Sequence, residues 1–202
     1  MNTKILTIII LAGILIIGCE SKVTNVDTEN DEGGAVMQLD YRDFDQAASA
    51  LVQSMLRSGA LKKEGGGRYV VAVDDIVDDT TQHLDTDQLM SQIETELLNS
   101  RQAVITAAIG SGTDELLYQS RELRNYDEFD QTTTAEKQTL IAPELTITGK
   151  IIQSNIRVER NLRRAEYLFN LKLNEVKTGL TWWQDTKRIV KQGPNDSTTW
   201  GM

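Results

Sequence analysis

The apolar positions of this chain change repeat as the sequence advances, and each repeat names an element. Phe44, Ala47, Ala48, Leu51, Met55 and Leu56 recur at helical spacing. Asp40 stands ahead of them and Gly59 behind, so the pattern predicts a helix capped at Asp40 and stopped at Gly59. Tyr69-Val70-Val71-Ala72-Val73 is an almost continuous apolar run of strand length, which suits a central strand covered on both faces. Leu89, Met90, Ile93 and Leu97 predict a second helix that begins at Asp85, with Gln88 completing a capping box. Gln102–Ile109 predicts a second buried strand. Strand, helix and strand within about forty residues make a βαβ unit, with parallel strands and a right-handed crossover.

Beyond it, Gly110-Ser111-Gly112-Thr113 turns into a charged helix at roughly 114–126, whose narrow stripe of Leu116, Leu117 and Leu123 places it on the surface. Thr134 is positioned to cap a further short helical segment before Pro143. The last third alternates instead. Leu145, Ile147, Gly149 and Ile151 share one phase; Ile152, Ile156 and Val158 continue in the other, which predicts a β-bulge near Gly149. Residues 161–164 turn the chain. Tyr167, Phe169, Leu171 and Leu173 then mark a half-buried strand. Lys177-Thr178-Gly179 is a hairpin turn with glycine where positive φ is needed. Residues 181–191 return as a third strand. The fold class is α/β (α+β): a single mixed β-sheet with helices packed against it, an N-terminal βαβ unit and a C-terminal antiparallel β-meander.

The N-terminus belongs to another pattern. Lys4 precedes Ile5–Ile17, apolar apart from Thr7 and shorter than the roughly 20 residues a bilayer-spanning helix needs. The run stops at Ile16-Ile17-Gly18-Cys19, which resembles the lipobox of bacterial lipoproteins. That resemblance implies cleavage after Gly18, acylation of Cys19 and a mature protein tethered to a membrane. Residues 20–36 are polar, acidic and poor in large apolar side chains, so they read as a flexible tether. Seventeen residues reach about 60 Å when extended and about 20 to 25 Å on average as a coil. The expected domains are a signal peptide (1–18), the tether (19–38), a globular domain (39–193) and a C-terminal tail (194–202).

Charge narrows the partners. The mature chain carries 20 basic and 30 acidic residues, a net charge of −10. Residues 19–149 hold 10 basic against 25 acidic, whereas residues 150–193 hold 10 basic against 4 acidic. An acidic protein is ill suited to the nucleic-acid backbone or to anionic headgroups. The basic C-terminal third could steer an acidic protein partner, or simply be a solvated face. Once Cys19 is lipidated no thiol remains, so disulfides have no part in the fold.

Candidate chemistry is sparse. His83 is the sole histidine and sits in a polar loop, so triads and multi-histidine metal sites are poorly supplied. Asp74, Asp75, Asp78 and Asp79 follow the first strand and are weak candidates for Ca²⁺ or Mg²⁺, but lack EF-hand spacing. Gly110-Ser111-Gly112-Thr113 lacks the third glycine of a dinucleotide fingerprint, and a strand-to-helix turn with Ser or Thr capping explains it better. Trp182 and Trp183 are adjacent on a strand, so one faces the core and at most one is left as a platform. The reading is a non-enzyme with no cofactor beyond the covalent lipid on Cys19.

Several segments together resemble LpoB-type lipoproteins, activators of penicillin-binding proteins. They are residues 69–80 (YVVAVDDIVDDT), 83–93 (HLDTDQLMSQI) and 145–151 (LTITGKI), with the hairpin from Tyr167 through Lys177-Thr178-Gly179 to Trp182-Trp183. The likeness spans residues 37–192. It implies a domain like the N-terminal domain of TolB, in a lipoprotein on the outer membrane facing the periplasm. It also implies binding to a small accessory domain of a bifunctional class A penicillin-binding protein, stimulating glycan polymerisation and crosslinking. A monomer is expected. Glu20 is not the aspartate of an inner-membrane retention signal, which favours the outer membrane. The tether departs from the family in being short, acidic and proline-free. Alternatives from other classes are a curli-secretion-like assembly lipoprotein and a periplasmic ligand- or metal-binding lipoprotein.

Overall fold

The first helix, α1 (Tyr41–Ser58), forms where the caps and the apolar stripe agree. The Asp40 side chain accepts from the Arg42 and Asp43 backbone N–H groups, and the Asp43 carboxylate accepts from the Asp40 N–H. This is a complete capping box, and Gly59 ends the helix at φ 79°. In this computed structural model residues 27–28, 33–34, 36–110 and 112–194 are described. The chain divides into units at residues 1–34 and 35–202, and every helix and strand described belongs to the second.

Five strands make one mixed sheet in the order β2-β1-β3-β4-β5. They are β1 (Tyr69–Asp79), β2 (Ala103–Ile105), β3 (Leu145–Glu159), β4 (Leu162–Glu175) and β5 (Thr181–Pro194). β1 pairs in parallel with β2 and β3, while β3, β4 and β5 run antiparallel. The βαβ unit and the meander are therefore both present, joined through the parallel β1–β3 pair. Helix α1 and α2 (Asp87–Ser100) cover one face. Phe44 meets Phe169 edge-on at 6.1 Å, and Leu51, Met55, Ile93 and Leu97 bury against Val71, Ile147, Ile151 and Leu171. At about 25 cal/mol per Å² of apolar surface removed from water, this shared core is the main stabilising term.

Several elements differ from the sequence expectation, each for a local reason. β1 does not stop at Val73 but continues through the acidic stretch to Asp79, because only Ile76 of its second half is fully buried and the rest can remain wet. The bulge lies in β1, not near Gly149. Val73 pairs with Ile147 and Ile76 with Gly149, so Asp74 and Asp75 stand opposite the single Thr148. β3 keeps an unbroken register with β4 from Leu145 to Arg157. Gly149 is required by packing: a Cβ there would lie 2.7 Å from Leu171 Cδ2 and 3.2 Å from Ile76 Cγ1. Ile152, Ile156 and Val158 are in the other phase because they stand on the other face.

The second helix starts at Asp87 with Thr86 as its N-cap and no side-chain cap bond, and the Asp85 carboxylate accepts from Asp87 N instead. β2 is only three residues long rather than spanning 102–109. Helix α3 (Glu115–Glu122) ends in a 3₁₀ turn (Leu123–Asn125), and none of its residues is buried, as its narrow stripe implied. Its cap is Asp114, which accepts from Leu116 N and Leu117 N, not a Ser or Thr of the glycine turn. Residues 134–143 contain turns and no helix. The β3–β4 turn is Arg160-Asn161 rather than residues 161–164, since pairing resumes at Leu162. Gly179, at φ 71°, closes the β4–β5 hairpin, its N–H donating to Glu175 O.

Candidate functional site

Cys19, Trp200 and the signal, tether and tail residues that flank them lie outside the described residues, apart from 27–28, 33–34, 36–38 and 194. No described helix is long and apolar enough to cross a membrane. The four aspartates of the acidic stretch are within the descriptive range, and the strand sets them apart. Asp74 accepts from the N–H of Asp75 within the bulge. Asp78 accepts from Thr80 N at 3.0 Å and Leu84 N at 2.7 Å, shaping the loop after the strand. Asp79 pairs with Lys150 at 2.7 Å. Among the described residues no three His, Cys, Asp or Glu side chains converge as a metal-binding group. His83 is exposed in that loop at φ 50°.

The loop shaped by Asp78 belongs to a buried polar clasp on the helix-covered face. Gln82 donates to Tyr167 Oη and accepts from Leu39 N at 3.3 Å; Tyr167 in turn donates to Met37 O at 3.0 Å. Burial pushes the Tyr167 phenol above its ordinary range, with Gln82 opposing and the Asp43 charge adding to the rise. Two register positions further along the sheet, on the same face, Lys191 pairs with Asp43, both nearly buried, and donates to Gln38 O at 2.7 Å. Residues 37–39, where the chain enters the domain, are thus held to β4, β5 and the β1–α2 loop. Burial alone would raise the Asp40 carboxyl, but Arg42, Lys191 and the backbone N–H of Asp43 outweigh it and hold it below the ordinary range.

A cleft of about 980 Å³ opens at the far end of the sheet and includes Lys63, Tyr69, Glu144 and Trp182. Two of its charged groups, Lys63 and Glu144, pair with each other. Lys63 reaches both Glu144 oxygens at 2.7 and 2.6 Å, donates to Arg68 O, and lies 5.1 Å from the Tyr69 ring centre. The hydrogen bonds from Lys63 are the main reason the Glu144 carboxyl is held below its ordinary range. Trp182 meets Tyr69 edge-on at 5.9 Å, whereas Trp183 is in the core, as adjacent strand positions require. The Lys63–Glu144 pair braces the 59–69 connection against the sheet.

The remaining surface of note is the sheet face turned away from the helices. On β3, β4 and β5 no described element covers it. Ile152, Ile156, Val158 and Val190 are 38% to 49% exposed. The registers set Ile152 beside Leu168 and Arg188, and Ile156 beside Arg164 and Gln192. Sequence reasoning took the phase change of the β3 apolar residues for a bulge. The signal that could have identified the face was the interleaving of those residues with the basic excess of the last third.

Of the known proteins, the family model for the peptidoglycan-synthase activator LpoB matches residues 43–189. No curated protein sequence matches the chain. Among solved structures, the LpoB C-terminal domain from Escherichia coli is 14% identical, with a TM-score of 0.43, and the match covers 73% of this chain and 98% of that one. The same domain from Salmonella enterica is also 14% identical, at a TM-score of 0.42 and the same coverage. The lipoprotein GNA1162 from Neisseria meningitidis is 8% identical, at a TM-score of 0.39, covering 65% of this chain and 88% of that one.

Proposed function

Because the chain belongs to the LpoB family of peptidoglycan-synthase activators, we propose that it binds a bifunctional class A penicillin-binding protein through a periplasmic accessory domain and raises its activity. The observation that carries this reading is the extent of the family match, which runs from the first turn of α1 into β5 and takes in α2 and β1 to β4 whole. The family acts on a synthase and is not itself the enzyme. Activation needs no chemistry from the activator. A protein that binds the active conformation of an enzyme more tightly than the inactive one shifts the population by that difference in affinity.

Members of this family are envelope lipoproteins, and we place this chain on the outer membrane, facing the periplasm, by a lipid on Cys19. The lipobox residues Ile16-Ile17-Gly18-Cys19 support that placement. Replacing Cys19 with Ser should leave the precursor uncleaved and unacylated, seen as a mass increase and loss of labelled fatty acid. The partner is tested by pull-down from solubilised envelope with the acylated chain as bait. Recovery of a class A synthase is the expected result; its absence, with other envelope proteins recovered, would refute the reading.

A further inference from the structure

We propose that the uncovered face of β3, β4 and β5 is the docking surface for the synthase, and that it accepts an acidic, partly apolar patch on the accessory domain. The inference rests on the function proposed above and adds the surface and the chemistry of its partner.

The argument begins with charge. The mature chain is net −10, yet this face is basic. Strand alternation puts Lys150, Arg164, Lys172 and Arg188 on it, with Glu166 from the same three strands. Lys150 is paired with Asp79 of β1, and Arg164 donates to the neutral Gln192 side chain. Among the described residues, neither Arg188 nor Lys172 has a carboxylate within ion-pair distance. Between these cations lie Ile152, Ile156 and Val190, each more than a third exposed. Four cations outnumber the one carboxylate, Glu166 beside Val190, and an apolar centre flanked mainly by one sign of charge is the pattern of a surface that recognises the opposite sign.

Size and symmetry then select among occupants. Eight residues of β3 and three strands give a face of roughly 27 Å by 15 Å, or about 400 Å². That is half of the roughly 800 Å² per partner of a standard stable interface, so it suits a reversible regulator more than a permanent dimer. A second copy docked by two-fold symmetry through this face would set one predominantly basic surface against another. An anionic membrane would attract the face but repel the rest of an acidic chain. The acidic protein patch meets neither objection.

The test measures binding of the full mature chain to the purified ectodomain of the class A synthase at low and moderate salt. The variants are Arg164→Glu with Arg188→Glu, Ile156→Ser with Val190→Ser, and Lys137→Glu as an exposed control elsewhere. Circular dichroism and melting temperature of each variant establish that it is folded. The expected result is at least a tenfold loss of affinity for the charge reversal and for the apolar pair, with none for the control. Raising salt should weaken the wild type several-fold and the reversed variant little. If the wild type binds and the folded variants bind equally well, this surface is wrong and the proposed function stands. If the wild type does not bind, the proposed function fails and the surface assignment falls with it. Self-association of the chain, or binding to phosphatidylglycerol vesicles, that the charge reversal abolishes while synthase binding persists would also overturn the assignment.

Discussion

Replacing Lys191 with Met probes the clasp that holds the entry of the domain. Lys191 and Asp43 are 148 residues apart in sequence, yet their side chains pair with only 10% and 12% exposure. Methionine keeps the apolar stem but leaves Asp43 as an unpaired charge at a nearly buried position. Removing one partner of a buried pair costs about 3 to 5 kcal/mol. The lower end applies, because Asp43 retains the Asp40 N–H at 2.9 Å. The bond from Lys191 to Gln38 O is lost as well. A loss of about 3 kcal/mol corresponds to a melting point lower by roughly 6 to 12 °C for a domain of this size. The assay is urea and thermal unfolding followed by circular dichroism, with Asp43→Asn and the double variant completing a cycle. Asp43→Asn should destabilise the native chain but do little in the Lys191→Met background, where it removes the orphaned charge. The exposed Lys150–Asp79 pair, at 43% and 60% exposure, provides the contrast. Lys150→Met should cost under about 1 kcal/mol and its effect should vanish in high salt. A cost below about 1 kcal/mol for Lys191→Met, or costs that simply add in the double variant, would refute the reasoning.

Other outcomes follow from packing and titration. Gly149→Ala places a methyl 2.7 Å from Leu171 Cδ2 and should destabilise by about 1 to 3 kcal/mol in urea unfolding, though the residue's backbone conformation is ordinary. Asp40→Ala removes the α1 cap and should cost about 1 kcal/mol by the same measurement. Burial raises the Glu94 carboxyl above its ordinary value, so its ionised form disfavours the fold once pH exceeds that range. Glu94→Gln should therefore raise the melting temperature at pH 7, and the gain should disappear as pH falls below the ordinary carboxylate value. For Glu144 the sign is opposite. Its lowered folded value means its contribution is present at neutral pH and lost as pH falls through that value, so Glu144→Gln should flatten the acid limb of the stability curve.

What the sequence revealed and what it concealed divide by range. The α1 helix was legible because its caps and its stripe lie within one stretch, from Asp40 to Gly59. The parallel β1–β2 pairing followed from strand, helix and strand in succession. The β4 strand was legible because alternation from Tyr167 to Leu173 has one buried face. The continuation of β1 was hidden because an edge-exposed, bulged half-strand with four aspartates has the composition of a loop. The bulge itself was placed on the wrong strand. A strand with apolar residues on both faces and a strand with a slipped register give the same one-dimensional pattern, and only pairing distinguishes them. The Asp85 box failed because capping depends on where helical backbone begins, which is Asp87. The clasp of Gln82, Tyr167, Lys191 and Asp43 joins segments up to about 150 residues apart, and no local rule announces it.

The central claim is that this chain activates a cell-wall synthase by docking to it. The most direct measurement is the initial rate of glycan polymerisation by the purified class A synthase as the mature chain is added. The expected result is a rise that saturates at one chain per synthase and is lost with Arg164→Glu and Arg188→Glu together. A rate unchanged at saturating wild-type chain would contradict the claim.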